Sequence, residues 1–458
     1  MAAEVSKESF FTRDKVFYKT LFGMMCAVSL QNLVAYSINM TDNIMLGSYS
    51  QEALSGAAIV NQIFFVVQYM TFSLGSALVV LTSQYWGRQK IGPIRELTGI
   101  AMKAGLVFGA CVVLVCFFFP DELLHLFTRS DAIVAEGKDY LQLIQWTFIL
   151  FIISNTLLAS LRSVGTVKIA FYISVVSLIV NAGINYVLIF GYFGFPEMGI
   201  RGAAVGTFVA RIVELAIVVV YAMKVDKKIF LFSGSGLLKQ TSGLSKDFSK
   251  VAWPILIAQV FWCVSVPIQT AILGHLSDDA IAANSVATTF FQYLKVIVFA
   301  ISSTSGVLIG NAIGRGDLAR IRSDARTLSV IDITLGIILA VILFSLRYPL
   351  MSLYQLSDSA TELSINLIAV MSIVMVGMSY QMPVLNGIIQ GSGDTRFVMV
   401  LTIVSIWAIV MPLSFLSAFV WHWPVELVVL VIQSDQIFKC VPAFWRFRSY
   451  KWIRQLAR

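Results

Sequence analysis

Apolar runs long enough to cross a bilayer recur from one end of this chain to the other, and they leave few folds open. A hydrocarbon core of roughly 30 Å takes about 20 helical residues. Twelve runs meet that length, with approximate cores at 17–45, 53–82, 97–119, 139–161, 168–193, 201–223, 251–274, 281–310, 328–348, 363–390, 397–420 and 424–444. Charged residues make up only 13% of the chain, which leaves too few to keep such runs in water. The expected fold is therefore an all-α integral membrane protein with twelve transmembrane helices. The first run is too long for a secretory signal and lacks a small-residue cleavage site, so it is expected to stay in the mature chain.

The net charge of +8 is not a nucleic-acid signal, because the basic residues gather in alternate loops. Arg13, Lys15 and Lys19 precede the first run, Arg88, Lys90 and Arg95 follow the second, and Lys224 to Lys250 follow the sixth. Arg315 to Arg326 and Arg446 to Arg458 continue the series. Intervening loops are acidic or poor in charge, as at Asp121-Glu122, Glu197 and Asp278-Asp279. Both termini are expected on the cytoplasmic side of the plasma membrane. The five cysteines lack CxxC spacing and read as small buried hydrophobes. His125, His275 and His422 fall in loops, so neither a zinc site nor histidine catalysis is indicated.

The second half of the chain repeats the first. Shifted by 227 residues, Asp42–Lys90 aligns without a gap to Gln269–Asp317 with eleven identities in 49 positions. Leu46-Gly47 falls on Leu273-Gly274, Ser50 on Ser277, Ala53 on Ala280, and Gly87-Arg88 on Gly314-Arg315. Arg162–Lys168 parallels Gln390–Arg396 at an offset of 228. This predicts an N-terminal six-helix lobe at 1–230, a Gly/Ser/Lys-rich linker at 231–246 and a C-terminal six-helix lobe at 247–458. Both halves start on the same side, so their pseudo-symmetry axis is expected along the membrane normal, an arrangement suited to alternating access. A channel would show a filter loop or a ring of charges, and an intramembrane transferase would show clustered acids or histidines. Neither pattern is present in the sequence.

Five stretches in this order, Thr41-Asp-Asn-Ile-Met-Leu-Gly47, Ala77–Gly87, Asn181-Ala-Gly-Ile-Asn185, Gly194–Thr207 and Gln390-Gly-Ser-Gly-Asp-Thr395, make the chain resemble the multidrug and toxic compound extrusion (MATE) family over essentially its whole length. The resemblance implies an antiporter that expels organic, often cationic or amphipathic, drugs or metabolites in exchange for Na+ or H+. It implies no enzymatic activity, no cofactor beyond the coupling ion, and no nucleic-acid partner. A monomer is expected. A lipid or lipid-linked-precursor flippase of the same superfamily is the alternative, although it would call for a basic cavity and only Lys103 and Lys295 stand out as intramembrane cations. A membrane-embedded transferase is the second alternative.

Asp42 ends the first run, where it is either an interfacial residue beside Asn39 and Asn43 or a functional carboxylate. The resemblance places it in a cation site with the fifth and sixth helices. Asn181 and Asn185 are four apart, as are Ala203 and Thr207, so each pair shares a helix face. A carboxylate, two amides, a hydroxyl and a carbonyl would suit Na+, held by Asp42, Asn181 and Thr207. A carboxylate kept from water also favours its protonated form, so exchange of a proton is the competing mechanism. Amide bonding between helices is the bland reading for both asparagines, as packing is for Ala203 and self-bonding for Thr207.

The chain departs from the family in several places. Many relatives have Asp where Asn185 stands, Glu where Gln259 stands, and a proline where Ala27 stands. Acids of the seventh and tenth helices are absent, so coupling is assigned to the first half. Asn32, Tyr36, Asn61, Gln62, Gln259, Trp262 and Gln292 are weaker candidates to line a substrate cavity. Glu214, Asp332 and Asp435 are expected near helix ends, snorkelling or paired with Lys or Arg. Pro254, Pro267, Pro383 and Pro412 are expected to interrupt helical bonding in the second half.

Overall fold

The computed structural model describes residues 10–229, 231–232, 241–351 and 357–457. Among the described residues eleven helices are long and apolar enough to span a membrane, and a bent pair makes twelve if it is one span. They are α1 (Lys15–Tyr49), α2 (Gln51–Gly87), α3 (Ile91–Phe118), α4 (Asp131–Ser163), α5 (Lys168–Phe190) and α6 (Ile200–Val225) in the first half. The second half holds α7 (Ser242–Gly274), α8 (Asp278–Arg315), α9 (Leu318–Met351), α10 (Asp358–Ile389), α11 (Thr395–Val420) and α12 (Val425–Ile432 with Asp435–Arg448). Each predicted core lies on one of these helices. Most reach further because polar terminal turns extend past the apolar stretch, whereas α5 stops at Phe190, three residues short of the expected end, where Gly191 adopts a left-handed conformation. Residues 233–240 of the expected linker lie outside the described residues, and α7 begins at Ser242, inside that stretch.

The repeat has a physical basis at the helix starts. Ser50 Oγ accepts the Ala53 N–H at 2.9 Å ahead of α2, and its counterpart Ser277 Oγ accepts the Ala280 N–H at 3.0 Å ahead of α8. The same N-cap, worth about 1 kcal/mol, starts the second helix of each half.

Contacts group the chain into two compact units. One comprises Ala27–Thr82 and Lys90–Ala252. Its core is built from Val60, Val67, Ile144, Phe148 and Ile152, with Leu46, Ala203 and Ala204 beside them. Here α5 and α6 meet through Gly202 and Gly206, a small-xxx-small pair that lets two backbones approach. A Cβ on Gly202 would lie 2.7 Å from the Leu188 carbonyl carbon.

The other unit comprises Met1–Cys26, Ser83–Gln89 and Trp253–Arg458. Leu343, Leu367, Met371, Met375 and Val428 form one apolar cluster, and Leu21, Ile301, Leu328, Val384 and Trp452 form a second. Here the ends of α2 and α8 cross at repeat counterparts. A Cβ on Gly87 would lie 2.3 Å from the Asn311 carbonyl oxygen, and one on Gly314 would lie 2.1 Å from that of Gln84.

Three expectations are corrected. Only Cys116 among the cysteines is buried, while Cys26 and Cys111 are exposed and Cys263 and Cys440 intermediate. Lipid tails are as apolar as a protein core, so a thiol in a span has no need of burial. The twelfth span is bent by 42° rather than continuous, at Gln433-Ser434, where the Ser434 hydroxyl bonds the Val431 carbonyl at 2.7 Å. Asp332 lies fully buried inside α9 rather than at a paired helix end.

The prolines meet the expectation in part, since α7 runs on through two of them while the helix changes character at the others. Pro254 and Pro267 sit inside α7, Pro383 opens a π-helical stretch to Ile389, and Pro412 lies between two more, Val404–Val410 and Leu416–Val420.

Candidate functional site

The residues singled out around Asp42 converge within the first unit. Asn185 and Asn181, one turn apart on α5, are both buried. Asn185 Nδ2 donates to Asp42 Oδ1 at 2.5 Å and lies 3.3 Å from Asn181 Oδ1. Asn181 Nδ2 donates to Thr207 Oγ1 at 3.2 Å. A polar chain thus runs from Thr207 on α6 through both amides of α5 to the carboxylate on α1. Ala203, one turn before Thr207, is buried in the apolar cluster with Leu46 and Ile189, so its side chain packs.

Asn185 is held by its surroundings. Its Oδ1 is buried without a hydrogen-bond partner. It rests against Gly206, where a Cβ would approach to 2.0 Å. Only glycine at 206 leaves room for the amide orientation that points nitrogen at Asp42.

Three further residues, Tyr140, Arg211 and Gly206, belong to this cluster and were not singled out from the sequence. The buried phenol of Tyr140, on α4, faces both Thr207 and Asp42. Arg211, one turn beyond Thr207, acts on the charge of Asp42. Its guanidinium lies 4.9 Å from the Phe151 ring centroid and 5.7 Å from that of Phe64, and pairs with Glu214 at 2.7 Å. The available signal for Arg211 was a cation three residues before an acid inside an apolar run, and for Gly206 it was the GxxxG spacing.

With Asp42 ionised, the group Asp42, Arg211 and Glu214 carries one net negative charge. With Asp42 protonated it is neutral. Among the described residues no group of three or more His, Cys, Asp or Glu side chains could hold a metal ion.

The weaker candidates divide between the units. Asn32, Tyr36, Asn61 and Gln62 belong to the first, where Asn61 and Gln62 are exposed and Tyr36 is 40% exposed. Gln259, Trp262 and Gln292 belong to the second. Gln259 Nε2 donates to Cys263 Sγ at 3.6 Å, which occupies it within its own helix. Asp435 is paired with Lys439 at 2.7 Å, as its spacing predicts, and Glu214 is paired with Arg211 but lies buried inside α6 rather than near its end, where it was expected.

A family profile for MatE matches residues 27–187 and 254–416, two segments that start 227 residues apart, the offset of the repeat. "Probable multidrug resistance protein NorM" of Thermotoga maritima is 25% identical over 432 residues, covering 93% of this chain and 91% of that protein. "Uncharacterized transporter YisQ" of Bacillus subtilis is 25% identical over 448 residues, covering 96% of both. The crystal structure of the Vibrio cholerae MATE transporter VcmN in the bent form superposes with a TM-score of 0.85 at 18% identity, over 95% of this chain and 97% of that one. The chain belongs to the MATE family and is an integral membrane protein of that fold.

Proposed function

We propose that this protein exports organic, cationic or amphipathic compounds across the plasma membrane in exchange for an inward proton, with Asp42 as the residue that binds the coupling ion. The observation that carries the reading is the hydrogen bond from buried Asn185 to Asp42, the only carboxylate in a chain of otherwise neutral donors and acceptors. Amide nitrogen, rather than amide oxygen, faces the carboxylate. That suits a group which gains and loses a proton better than one which shares Na+ with a shell of oxygens. Relatives carrying the name of multidrug resistance proteins support the substrate class. Arg211 beside aromatic rings supports it too, since Phe64 and Phe151 already accept a cation face-on.

In this account Asp42 takes a proton from one side and exposes it to the other as the protein changes access. Substrate and proton compete through the charge of Asp42, which Arg211 and Glu214 set. The protein works as a monomer with both termini in the cytoplasm. Everted membrane vesicles test the substrate class. Proton-dependent uptake of a fluorescent organic cation is the expected result. Movement of a headgroup-labelled lipid without movement of the cation would establish the flippase instead.

A further inference from the structure

The second unit holds a carboxylate that nothing above uses. Asp332, on α9, is 0% exposed. Both of its carboxylate oxygens lack a hydrogen-bond partner. Other buried acids have partners: Glu214 pairs with Arg211, Asp435 with Lys439, Asp394 with Arg446 and Asp324 with Arg320, while Glu96 and Asp226 accept backbone N–H groups.

The surroundings of Asp332 are built from two helices in close contact. Ser329, Asp332 and Gly336 share one face of α9 at spacings of three and four. A Cβ on Gly336 would lie 2.6 Å from the Ser379 Cβ and 3.4 Å from the Val376 Cα on α10. Ser379 is itself buried with its hydroxyl unpartnered. The phenol of Tyr380, next to Ser379 in sequence, shares a hydrogen bond with Ser329, one turn before Asp332.

Among the described residues no cation acts on this site. Cys440 on α12 faces Tyr380, and Lys295 on α8 and Lys439 on α12 are directed at Asp435. On α9 itself Arg322 and Arg326 stack on Tyr450, and Arg320 pairs with Asp14. An unpaired anion in such a place is far costlier than a neutral acid. Na+ would bring its charge into the same seam with too few free oxygens to replace its water.

We propose that Asp332 is a second proton-binding site, in the C-terminal half, which holds its proton while α9 and α10 stay in contact and releases it when that seam opens. Release breaks the carboxyl O–H bond, leaves the electron pair on the carboxylate and passes the proton to entering water. The site is independent of Asp42 and stands whether or not Asp42 binds the coupling ion.

Infrared spectroscopy of the full-length protein in lipid nanodiscs at neutral pH tests this through the carbonyl band of a protonated carboxyl. In an Asp42→Asn background the band is expected to persist, and to vanish on adding Asp332→Asn. Superimposable spectra with and without Asp332→Asn overturn the proposal. So does loss of the band on adding NaCl at constant pH, which would make this a Na+ site. Where Asp332→Asn fails to insert, Asp332→Glu serves, since it changes the carboxyl itself, and a band of unchanged frequency overturns the proposal as well.

Discussion

Replacing Gly206 by alanine adds one methyl group, yet the geometry predicts damage to the Asp42 cluster. The new Cβ would lie 2.0 Å from Asn185 Oδ1 and 3.0 Å from its Cγ. If the amide gives way, it loses the 2.5 Å bond to Asp42, and a hydrogen bond to a charged group is worth about 1.5–3 kcal/mol. If it holds, overpacking costs about 1–3 kcal/mol. In the first case the affinity of the site for its ion changes by roughly 10- to 150-fold, and in the second the unfolding temperature falls instead. Initial rates of efflux against ion concentration read that change, with thermal unfolding in nanodiscs alongside. The control is the same substitution in an Asn185→Ala background, where the clash is gone and the added cost should fall to about 0.5 kcal/mol or less. Wild-type behaviour of Gly206→Ala, or an equal cost in both backgrounds, would refute the reasoning.

Other substitutions probe the surrounding structure. Arg211→Gln strands Glu214 in its buried position, so it should cost about 3 kcal/mol or more in thermal stability, partly restored by adding Glu214→Gln. Gly314→Ala places a Cβ 2.1 Å from a backbone oxygen and should destabilise by about 1–3 kcal/mol. Gly183→Ala, which meets nothing within 4 Å inside α5, should instead be neutral or stabilising by about 0.5–1 kcal/mol, and unfolding temperatures compare the two. Asp14, just ahead of α1, is held below the usual carboxylate range by the Val16 N–H and, more weakly, by Arg320. A carboxyl lowered on folding contributes stability above its unfolded pKa and loses it as pH falls through the folded value. Asp14→Asn should therefore lower the unfolding temperature at neutral pH and converge with wild type in acid.

Hydropathy alone located all twelve spans, because each must be apolar over about 20 residues whatever its neighbours. The repeat was legible for a related reason. Ser50 and Ser277 cap equivalent helices, and Gly87 and Gly314 sit at one crossing, so neither pair is free to drift. Asp42, Asn181, Asn185 and Thr207 were found through motif and spacing, and they converge. Tyr140 was not, since an isolated tyrosine in a span carries no periodic signal, and Arg211 was passed over although Glu214 three residues on marked a pair; which residues each faces is settled by packing between helices. Asp332 was misplaced for the same reason. Its position late in a basic segment suggested a helix end, whereas α9 begins fourteen residues earlier, at Leu318, and carries it inward. The bend in α12 was also missed, although the polar run Gln433-Ser434-Asp435-Gln436 marks the place where it falls.

The central claim is that Asp42 couples export to proton entry. Efflux of a fluorescent organic cation from proteoliposomes, with a pH gradient and a Na+ gradient imposed separately on wild type and Asp42→Asn, tests it most directly. The account predicts that wild type responds to the pH gradient and that the variant, which keeps the size and hydrogen-bonding capacity of the side chain, is folded but responds to neither. Transport by Asp42→Asn at the wild-type rate, or wild-type transport driven by Na+ alone, would contradict it.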